Sequence, residues 1–584
     1  MKKLSIRAIN FWRNEASNLH WDKYFKKVYK PVNNIINKKR INGDWFLGGK
    51  ISLYDNLITK HLKNNVNRAA KIAITTVSKN KKIKSYTYKN LNSYVLNFEK
   101  FFLKLKNKKS LKVMIHASSS IESAVSMLCC TKLGIEFSVL FENLESDAIV
   151  KRVLLFKPNF FFTRLKKEDF IKKNHDKFSV ISKKTKIIFF ENINFKKKIN
   201  KKNQNISFES NRNLFTLFTS GSTGVPKGVT HSIGGYSVFC YFTAKSQFGF
   251  NNNSVILCAS DAGWINGHTY ALYSPLFFGA ETILIEDPFI LFNEKLFHKI
   301  LKCRKVSILY LPVTLIRLQK SSFNLNFKSK YLKTIGSMGE HLASDIANWY
   351  SKYFNLQYKA VVNTYFQTET GGVIISPKYS QNKKEAPDGS VGSPACEFII
   401  HNKLNRKNKK EIKILSPFPG LMKSILSHKK ESQKYFDSNN NFRMFDVATI
   451  NIKNIYIHGR NDDVINVRGH RIGCEEIEKV VMEIDDVIEN AVVASNDKIE
   501  GNIIYLFVVS KNKFLNKIIN NLIKKNFGIF AVPKKIFYVR ELPKTRSGKI
   551  LRRTLRNVML KNDDLGDLST IRDKDVINEI REII

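Results

Sequence analysis

From about residue 111, short apolar runs alternate with stretches in which apolar residues recur at helical spacing. The runs predict strands at residues 113–116, 136–141 and 160–163, and the stretches between them predict helices at 121–133 and 146–155. This βαβαβ order predicts a parallel sheet covered by helices. Further apolar runs at 187–190, 255–259, 282–285, 307–311 and 334–335 extend the same unit, and the polar segment 380–388 predicts a surface loop.

After Gly459 the pattern restarts on a smaller scale. Residues 475–484 and 515–525 predict helices, and residues 490–494 and 503–509 predict strands, which together make one small α+β domain. The expected fold class is therefore α/β, with a large N-terminal domain of parallel or mixed sheets and a small C-terminal domain. We expect an N-terminal extension and the start of the large domain at 1–110, the large-domain core at 111–459, a hinge at 460–462, the small domain at 463–560 and a tail, helical or disordered, at 561–584.

Composition fits an ordinary soluble globular protein more than a secreted or membrane protein. Of the 584 residues, 43% are hydrophobic, and no apolar run approaches the roughly 18 residues that a membrane helix needs. The start has no apolar segment behind its charges, so a secretory signal is not expected. Seven scattered cysteines form no Cys-x-x-Cys pair, which favours the reducing cytoplasm.

The formal net charge of +49 could indicate a nucleic-acid or anionic-surface partner. The lysines, however, are spread along the chain in short clusters, and no nucleic-acid-binding motif accompanies them. Lys, Asn, Ile and Phe are all abundant, as a genome biased toward A and T would produce. We favour compositional drift over a dedicated nucleic-acid role, and we expect no membrane partner.

A loop rich in small residues carries the first candidate chemistry. Thr219, Ser220, Gly221, Ser222, Thr223 and Gly224 follow an apolar run and precede Lys227. Small residues let backbone N–H groups and hydroxyls approach polyphosphate oxygens closely, and Lys227 adds a positive charge. The spacing is not that of a Walker A loop. A phosphate-binding loop and an ordinary Gly/Ser loop both remain open from these residues alone.

Five more motifs follow in order. They are 261–268 (DAGWINGH), 336–340 (GSMGE), 365–372 (YFQTETGG), 459–473 (GRNDDVINVRGHRIG) and 542–553 (LPKTRSGKILRR). Together with the loop they resemble the adenylate-forming superfamily, and most closely its short-chain acyl-CoA synthetases, the acetyl- and propionyl-CoA synthetases. Phe11-Trp12 and Leu19-His20-Trp21 also resemble the N-terminal extension of acetyl-CoA synthetases.

The resemblance implies a reaction in two halves: a carboxylate attacks the α-phosphate of ATP to give acyl-adenylate and pyrophosphate, and CoA then displaces AMP. Lys549 would stabilise the α-phosphate in the first half, with Lys227 on the pyrophosphate side. Thr368 and Glu369 would bind Mg²⁺. A lysine acetyltransferase or deacetylase acting on Lys549 is a candidate partner, because acetylation removes the charge.

The same resemblance implies the nucleotide site. Asp446 would accept hydrogen bonds from the ribose hydroxyls, and Arg460 and Arg471 would contact ribose and phosphates. The adenine pocket would be built from Gly339, Glu340, His341, Asn363, Thr364, Tyr365, Phe366, Gln367 and Thr368. Asp462 would be the hinge about which the small domain swings between the two half-reactions.

The acid pocket departs from the family pattern. It would comprise Trp264, Ile265, Asn266, Met338 and Phe366. Acetyl-CoA synthetases carry two tryptophans where this chain has Tyr365-Phe366, so Phe366 opens space, whereas Ile265 and Met338 fill it. We expect a two- or three-carbon acid, with acetate first and propionate as the alternative, because one methylene changes binding by only about 1–3 kcal/mol.

The CoA site also differs from the family. Its expected residues are Asn266, Thr314, Arg468, Gly469 and Lys524. Arg468 replaces a serine, and Lys172 and Lys173 stand near an expected arginine pair. Lysine binds phosphate as a point charge without bidentate geometry. Two rivals therefore stay open: an adenylating enzyme that loads a carrier protein or another thiol, and a degenerate relative that serves as a polyanion-binding module.

Overall fold

A computed structural model describes the chain from Leu4 to Ile584. Outside the description are residues 32–40, 64–68, 104–110, 145, 175–176, 196–205, 220–225, 325–326, 401–408, 427–431, 461–463, 468–469, 498–500, 546–547, 566–567 and 569–570. For 460, 464–467, 470–471, 496–497, 501–502 and 530, only the backbone is described.

The first large sheet has seven strands. In spatial order they are Ser424–Leu426, Lys227–Ser232, Asn213–Thr219, Glu136–Leu140, Lys112–His116, Phe160–Thr163 and Lys186–Phe189. The last five are parallel, and the first two run antiparallel to their neighbours. The βαβαβ prediction is confirmed, with helices Ile121–Leu133 and Ser146–Phe156 as the crossovers.

The second large sheet also has seven strands. Their order is Val362–Asn363, Thr334–Met338, Ile308–Pro312, Val255–Cys258, Glu281–Ile285, Ile72–Val77 and Ile83–Thr87, parallel except for the final hairpin. Its helices include Glu294–Cys303, Val313–Ser322 and Ser344–Tyr353. The parallel and mixed sheets of the expected α/β class are therefore present.

The main core lies where the helices between the two sheets meet. Helix Ile121–Leu133 is buried along almost its whole length, and even Lys132 is buried, in an ion pair with Glu99 (3.1 Å). Helix Ile233–Thr243 is also buried, and Trp12 of the N-terminal helix Ile6–Ala16 packs edge-on against Phe242. The N-terminal residues are thus part of the core of the large unit.

Smaller elements complete the large unit. Further helices are Lys60–Lys63, Tyr88–Leu103, Lys167–Lys173, Phe178–Lys184, Ile265–His268 and Ser274–Phe277. Strands pair as Lys27–Lys30 with Asp44–Leu47, Lys50–Ile51 with Phe208–Glu209, and Ile375–Ser376 with Ser393–Pro394. A three-stranded antiparallel sheet follows, made of Lys410–Ile414, Phe442–Asn451 and Asn454–Arg460.

The C-terminal unit is a five-stranded sheet with helices. Its strands are Val464–Val467, His470–Gly473, Val487–Asp497, Gly501–Ser510 and Lys535–Tyr538, and its helices are Cys474–Val481, Asn516–Phe527, Arg552–Met559 and Asp575–Ile583. In the last of these helices, Val576, Ile577 and Ile580 are buried in one cluster with Leu555. Within the described residues, every helix is too short or too polar to cross a membrane.

Candidate active site

A cavity of about 1230 Å³ lies where the carboxyl ends of the two large sheets face the C-terminal unit. Thr219, Met338 and Glu286 line it from strand ends, and Thr545 and Lys549 line it from the C-terminal unit. Parallel sheets commonly place ligands at the carboxyl ends of their strands, because the connecting loops diverge there. The cavity is therefore where the predicted site residues should meet.

The loop rich in small residues joins two adjacent antiparallel strands. Thr219 and Lys227 are directly opposite each other in the register and both line the cavity, and the segment 220–225 between them lies outside the described residues. Lys227 is buried, and its ammonium group lies 5.6 Å from the centre of the Tyr435 ring. Thr219 and Lys227 thus bring both ends of this loop to the cavity wall.

A carboxylate is fixed at the cavity by neighbouring donors. The Tyr365 hydroxyl (2.5 Å) and the Gln367 amide (2.8 Å) both donate to Oδ2 of Asp446. Phe445, just before it, has a φ of 61°, a left-handed conformation rare for a bulky residue. That turn lets the strand Phe442–Asn451 point Asp446 toward Gln367. Such local strain is typical of functional positions.

Thr368 and Glu369 lie on a short 3-10 turn beside this carboxylate. The Tyr435 hydroxyl donates to Oε1 of the buried Glu369 (2.6 Å), and His231 Nε2 contacts the carbonyl oxygen of Thr368 (2.8 Å). Burial lowers the pKa of His231 to about 4, so His231 is neutral at pH 7. A hydroxyl and a carboxylate at a cavity wall are hard oxygen donors and fit a Mg²⁺ ion carried by a nucleotide.

A second part of the cavity wall is built from Gly339, Glu340 and His341. Gly339 has a φ of 90° and open space where a Cβ would stand. Glu340 accepts from Thr314 (2.6 Å) and Arg317 (3.2 Å). Burial, with help from nearby cations, lowers the pKa of His341 to about 4. This wall therefore combines an open glycine surface with a fixed carboxylate.

The expected acid pocket forms one part of the same cavity. Trp264, Ile265, Asn266, Met338 and Phe366 all line it. Ile265 and Met338 are buried, and the Asn266 amide donates to the Met338 sulfur (2.7 Å). The Asn266 contact holds Met338 in place, and the buried Ile265 also occupies the pocket that Phe366 lines.

Lys549 enters the cavity on a closed turn of the C-terminal unit. The Thr545 N–H donates to the Lys549 carbonyl (2.8 Å), the Gly548 N–H to the Thr545 carbonyl (2.9 Å), and the Lys549 N–H to the Thr545 hydroxyl (3.1 Å). Gly548 has a φ of 89°, and a Cβ there would overlap the Thr314 hydroxyl. The Lys549 side chain is exposed and lines the cavity.

Sequence reasoning missed a cluster of charged residues at the cavity, of which Lys79, Glu142 and Glu286 line it and Arg164 does not. Arg164 pairs with Glu286 (2.7 Å) and Glu142 (3.3 Å), and Lys79 pairs with Glu142 (3.0 Å). Although burial alone would raise it, these cations hold the pKa of Glu142 at about 2. The positions of Glu142, Arg164 and Glu286 just after parallel strands were the signal that could have found them.

Two family models match the chain. One described as AMP-binding enzyme matches residues 62–412, more than half of the chain, and one described as AMP-binding enzyme C-terminal domain matches residues 476–549. The chain belongs to the AMP-binding enzymes. Both matched segments contribute residues to the cavity, including Glu369 from the first and Lys549 from the second.

This AMP-binding enzyme is similar to acetyl-coenzyme A synthetases over nearly its whole length. It is 32% identical to that of Marinobacter nauticus over 99% of this chain and 95% of the relative, and 31% identical to that of Bdellovibrio bacteriovorus over 98% and 93%. Among solved structures, acetoacetyl-CoA synthetase from Streptomyces lividans superposes with a TM-score of 0.82 at 15% identity, covering 99% of this chain and 92% of that one, which shows a shared fold. The chain is thereby placed among the adenylate-forming acyl-CoA ligases.

Some expected site residues of this AMP-binding enzyme do not line the cavity. Asn363 lies behind the wall, bonded to Ser337 and Ser390. Lys524 is exposed on helix Asn516–Phe527, and Lys172 and Lys173 also lie away from the cavity. Ser220, Gly221, Ser222, Thr223, Gly224, Asp462, Arg468 and Gly469 lie outside the described residues, and the side chains of Arg460 and Arg471 are not described.

Proposed function

We propose that the protein is an AMP-forming ligase that joins a two- or three-carbon acid, acetate first and propionate as the alternative, to CoA. The observation that carries the proposal is the meeting of Lys549 with Asp446, Thr368 and Glu369 in one cavity. Lys549 belongs to the C-terminal unit, whereas Asp446, Thr368 and Glu369 belong to the large unit. The cavity therefore brings together residues that are far apart in the chain. The similarity to acetyl-coenzyme A synthetases supports acetate.

In the first half-reaction a carboxylate oxygen attacks the α-phosphorus of ATP, and the bond to pyrophosphate breaks. Negative charge grows on the α-phosphate, and Lys549 supplies a compact positive charge on a flexible stem beside it. Lys227 faces the departing pyrophosphate from the foot of the 220–225 loop. Asp446, held by hydrogen bonds from Tyr365 and Gln367, accepts hydrogen bonds from the ribose hydroxyls. Mg²⁺ held by Thr368 and Glu369 would neutralise phosphate charge.

In the second half-reaction the CoA thiolate attacks the acyl carbonyl carbon, and AMP leaves. Lys549 is not needed there, since the phosphorus atom no longer reacts. We propose that residues 463–560 swing about Asp462 to exchange Lys549 for the segment of Arg468 and Gly469. Because Lys79 in the cavity lining is already paired with Glu142, phosphate contacts of CoA would depend on side chains such as Lys524 that lie outside the lining.

The length of the acid that fits is set by three side chains of the proposed acid pocket, Ile265, Met338 and Phe366. Phenylalanine is smaller than tryptophan, which supports some tolerance of propionate, whereas the buried Ile265 and Met338 limit longer chains. We further propose a cytoplasmic enzyme. Lys549 is exposed on its turn, so an acetyltransferase could reach it, and acetylation would remove the charge that the first half-reaction needs.

The test is ATP–pyrophosphate exchange with formate, acetate, propionate and butyrate, followed by AMP and thioester formation when CoA is added. We expect exchange and thioester with acetate, and less of both with propionate. Exchange without thioester would favour a carrier-loading enzyme. The proposal would be overturned by no exchange with any of these acids, and a polyanion-binding role would then gain support if the protein is retained by heparin.

A further inference from the structure

The base of the Lys549 turn is anchored by a buried ion pair. The Lys544 ammonium group lies 2.7 and 3.0 Å from the two carboxylate oxygens of Glu489, and both side chains are almost fully buried. Lys544 starts the turn, pairing with Ile550 across it. A buried pair with this geometry is costly to break, because the remaining charge would be left without a partner. The turn is thus fixed to the strand Val487–Asp497.

Glu489 also reaches the large unit. Its Oε1 lies 3.8 Å from the guanidinium group of Arg317 on helix Val313–Ser322. Arg317 in turn donates to Glu340 in the wall of the cavity (3.2 Å). Four charges therefore alternate in sign from Glu340 through Arg317 and Glu489 to Lys544.

A second contact closes this chain of charges into a ring. Thr314, one helical turn before Arg317, donates to Glu340 (2.6 Å) and lies 3.4 Å from the carbonyl oxygen of Gly548. Glu340, Thr314, Thr545 and Lys549 line the cavity, whereas Arg317 and Glu489 do not. Arg317 and Glu489 can therefore act only through the residues that they hold.

We propose that Arg317 and Glu489 are positioning residues that seat the Lys549 turn against the Glu340 wall for the first half-reaction. The inference rests on the proposed function. Nucleotide bound at the Glu340 wall would fix one end of the ring, and the ring would then fix the turn. Since the contacts exist only when the C-terminal unit stands as described here, the ring serves adenylation and not thioester formation.

The test compares Arg317→Met with Lys320→Met, a control on the same helix whose ion pair with Asp345 (2.6 Å) lies outside the ring. We expect Arg317→Met to lower acid-dependent ATP–pyrophosphate exchange about tenfold or more, because a small displacement of a catalytic group is costly. Thioester formation from supplied acyl-adenylate should stay within about twofold, as should both activities of Lys320→Met. Arg317→Lys should recover part of the exchange.

A second readout does not depend on the acid. In the presence of ATP, amide deuterium uptake in the peptide containing Thr545, Gly548 and Lys549 should be faster in Arg317→Met than in wild type and unchanged in Lys320→Met. Glu489→Gln should show the same increase if it folds. If none of the tested acids supports ATP–pyrophosphate exchange by the wild type, the proposed function fails. Deuterium uptake then decides by itself whether Arg317 and Glu489 position the turn. The positioning role of Arg317 would be overturned by equal deuterium uptake in Arg317→Met and Lys320→Met. Equal loss of both half-reactions in Arg317→Met would also overturn it.

Discussion

Two regions that meet in the cavity differ in how they are held. One is the part of the wall that carries Asp446 and Glu369, here called the Asp446 wall, and the other is the Lys549 turn. The wall belongs to the large unit and is fixed within it: Tyr365 and Gln367 bond Asp446, and Tyr435 bonds Glu369. The turn is closed on itself and contacts the large unit at Thr314, and Arg317 reaches it only indirectly, through Glu489 and Lys544. The difference supports our proposal that nucleotide binds on a side fixed within the large unit, whereas the charge used for chemistry is carried on a part that moves away between the two half-reactions.

The largest effect among changes that keep every charged group in place is expected from Gly548→Ala. Gly548 has a positive φ that is unfavourable for alanine, and an added Cβ would collide with Thr314. The turn must therefore move away from Thr314. Exchange should fall up to about a hundredfold, with thioester formation from acyl-adenylate little changed. Gly528→Ala, also at a positive φ but outside the cavity lining, is the control and should leave exchange intact. Loss of both half-reactions in Gly548→Ala would mean that the turn has a general structural role.

On the rigid side, Asp446→Asn should weaken nucleotide binding. The change removes the charge and one acceptor from the cluster with Tyr365 and Gln367. We expect the KM for ATP to rise about tenfold, with a smaller change in kcat. Steady-state exchange kinetics give both constants. Asp437→Asn, which lies outside the cavity lining, should lower stability and leave the KM unchanged; an unchanged KM in Asp446→Asn would remove that residue from the nucleotide site.

The acid end of the cavity should respond more modestly. Phe366→Trp fills space beside Ile265 and Met338, so the ratio of kcat/KM for acetate to that for propionate should rise about fivefold. The KM for ATP should stay the same. Competition between the two acids in one reaction measures the ratio directly. A shift toward propionate would show that Phe366 does not limit acid length.

The smallest expected effect concerns stability and pH. The pKa of His231 falls from 6.5 to about 4 on folding, so its contribution is present above pH 6.5 and is lost as pH falls through 4. Between pH 7.5 and 5.0 the loss should be about 2 kcal/mol. Between these two pH values, the free energy of unfolding from urea titrations should fall by about 2 kcal/mol more in wild type than in His231→Gln. An equal fall in both proteins would mean that the pKa of His231 is not lowered in the fold.

The sequence predicted the elements whose pattern is local. The helix at 121–133 and the strand at 160–163 have the bounds that periodicity indicates. Strand ends were less accurate: residues 334–335 belong to a strand that continues to Met338. Gly336 and Ser337 interrupt the apolar run although they remain in the sheet, because they pair with neighbouring strands on both sides.

The candidate site was predicted where motifs carry it and missed where contacts between distant segments carry it. Thr368, Glu369 and Lys549 stand in motifs, and all three line the cavity. Arg317 and Glu489 stand in ordinary helix and strand contexts, and their role depends on partners between 23 and 172 residues away. Pairings of that kind depend on the tertiary fold, so no local pattern could have indicated them.

The most direct test of a rigid wall and a departing turn is Lys549→Ala assayed in the two half-reactions separately. We predict that acetate-dependent ATP–pyrophosphate exchange falls about a thousandfold, while CoA thioester formation from supplied acetyl-adenylate stays within about threefold of wild type. Exchange that persists near the wild-type rate, or an equal loss of both half-reactions, would contradict the account.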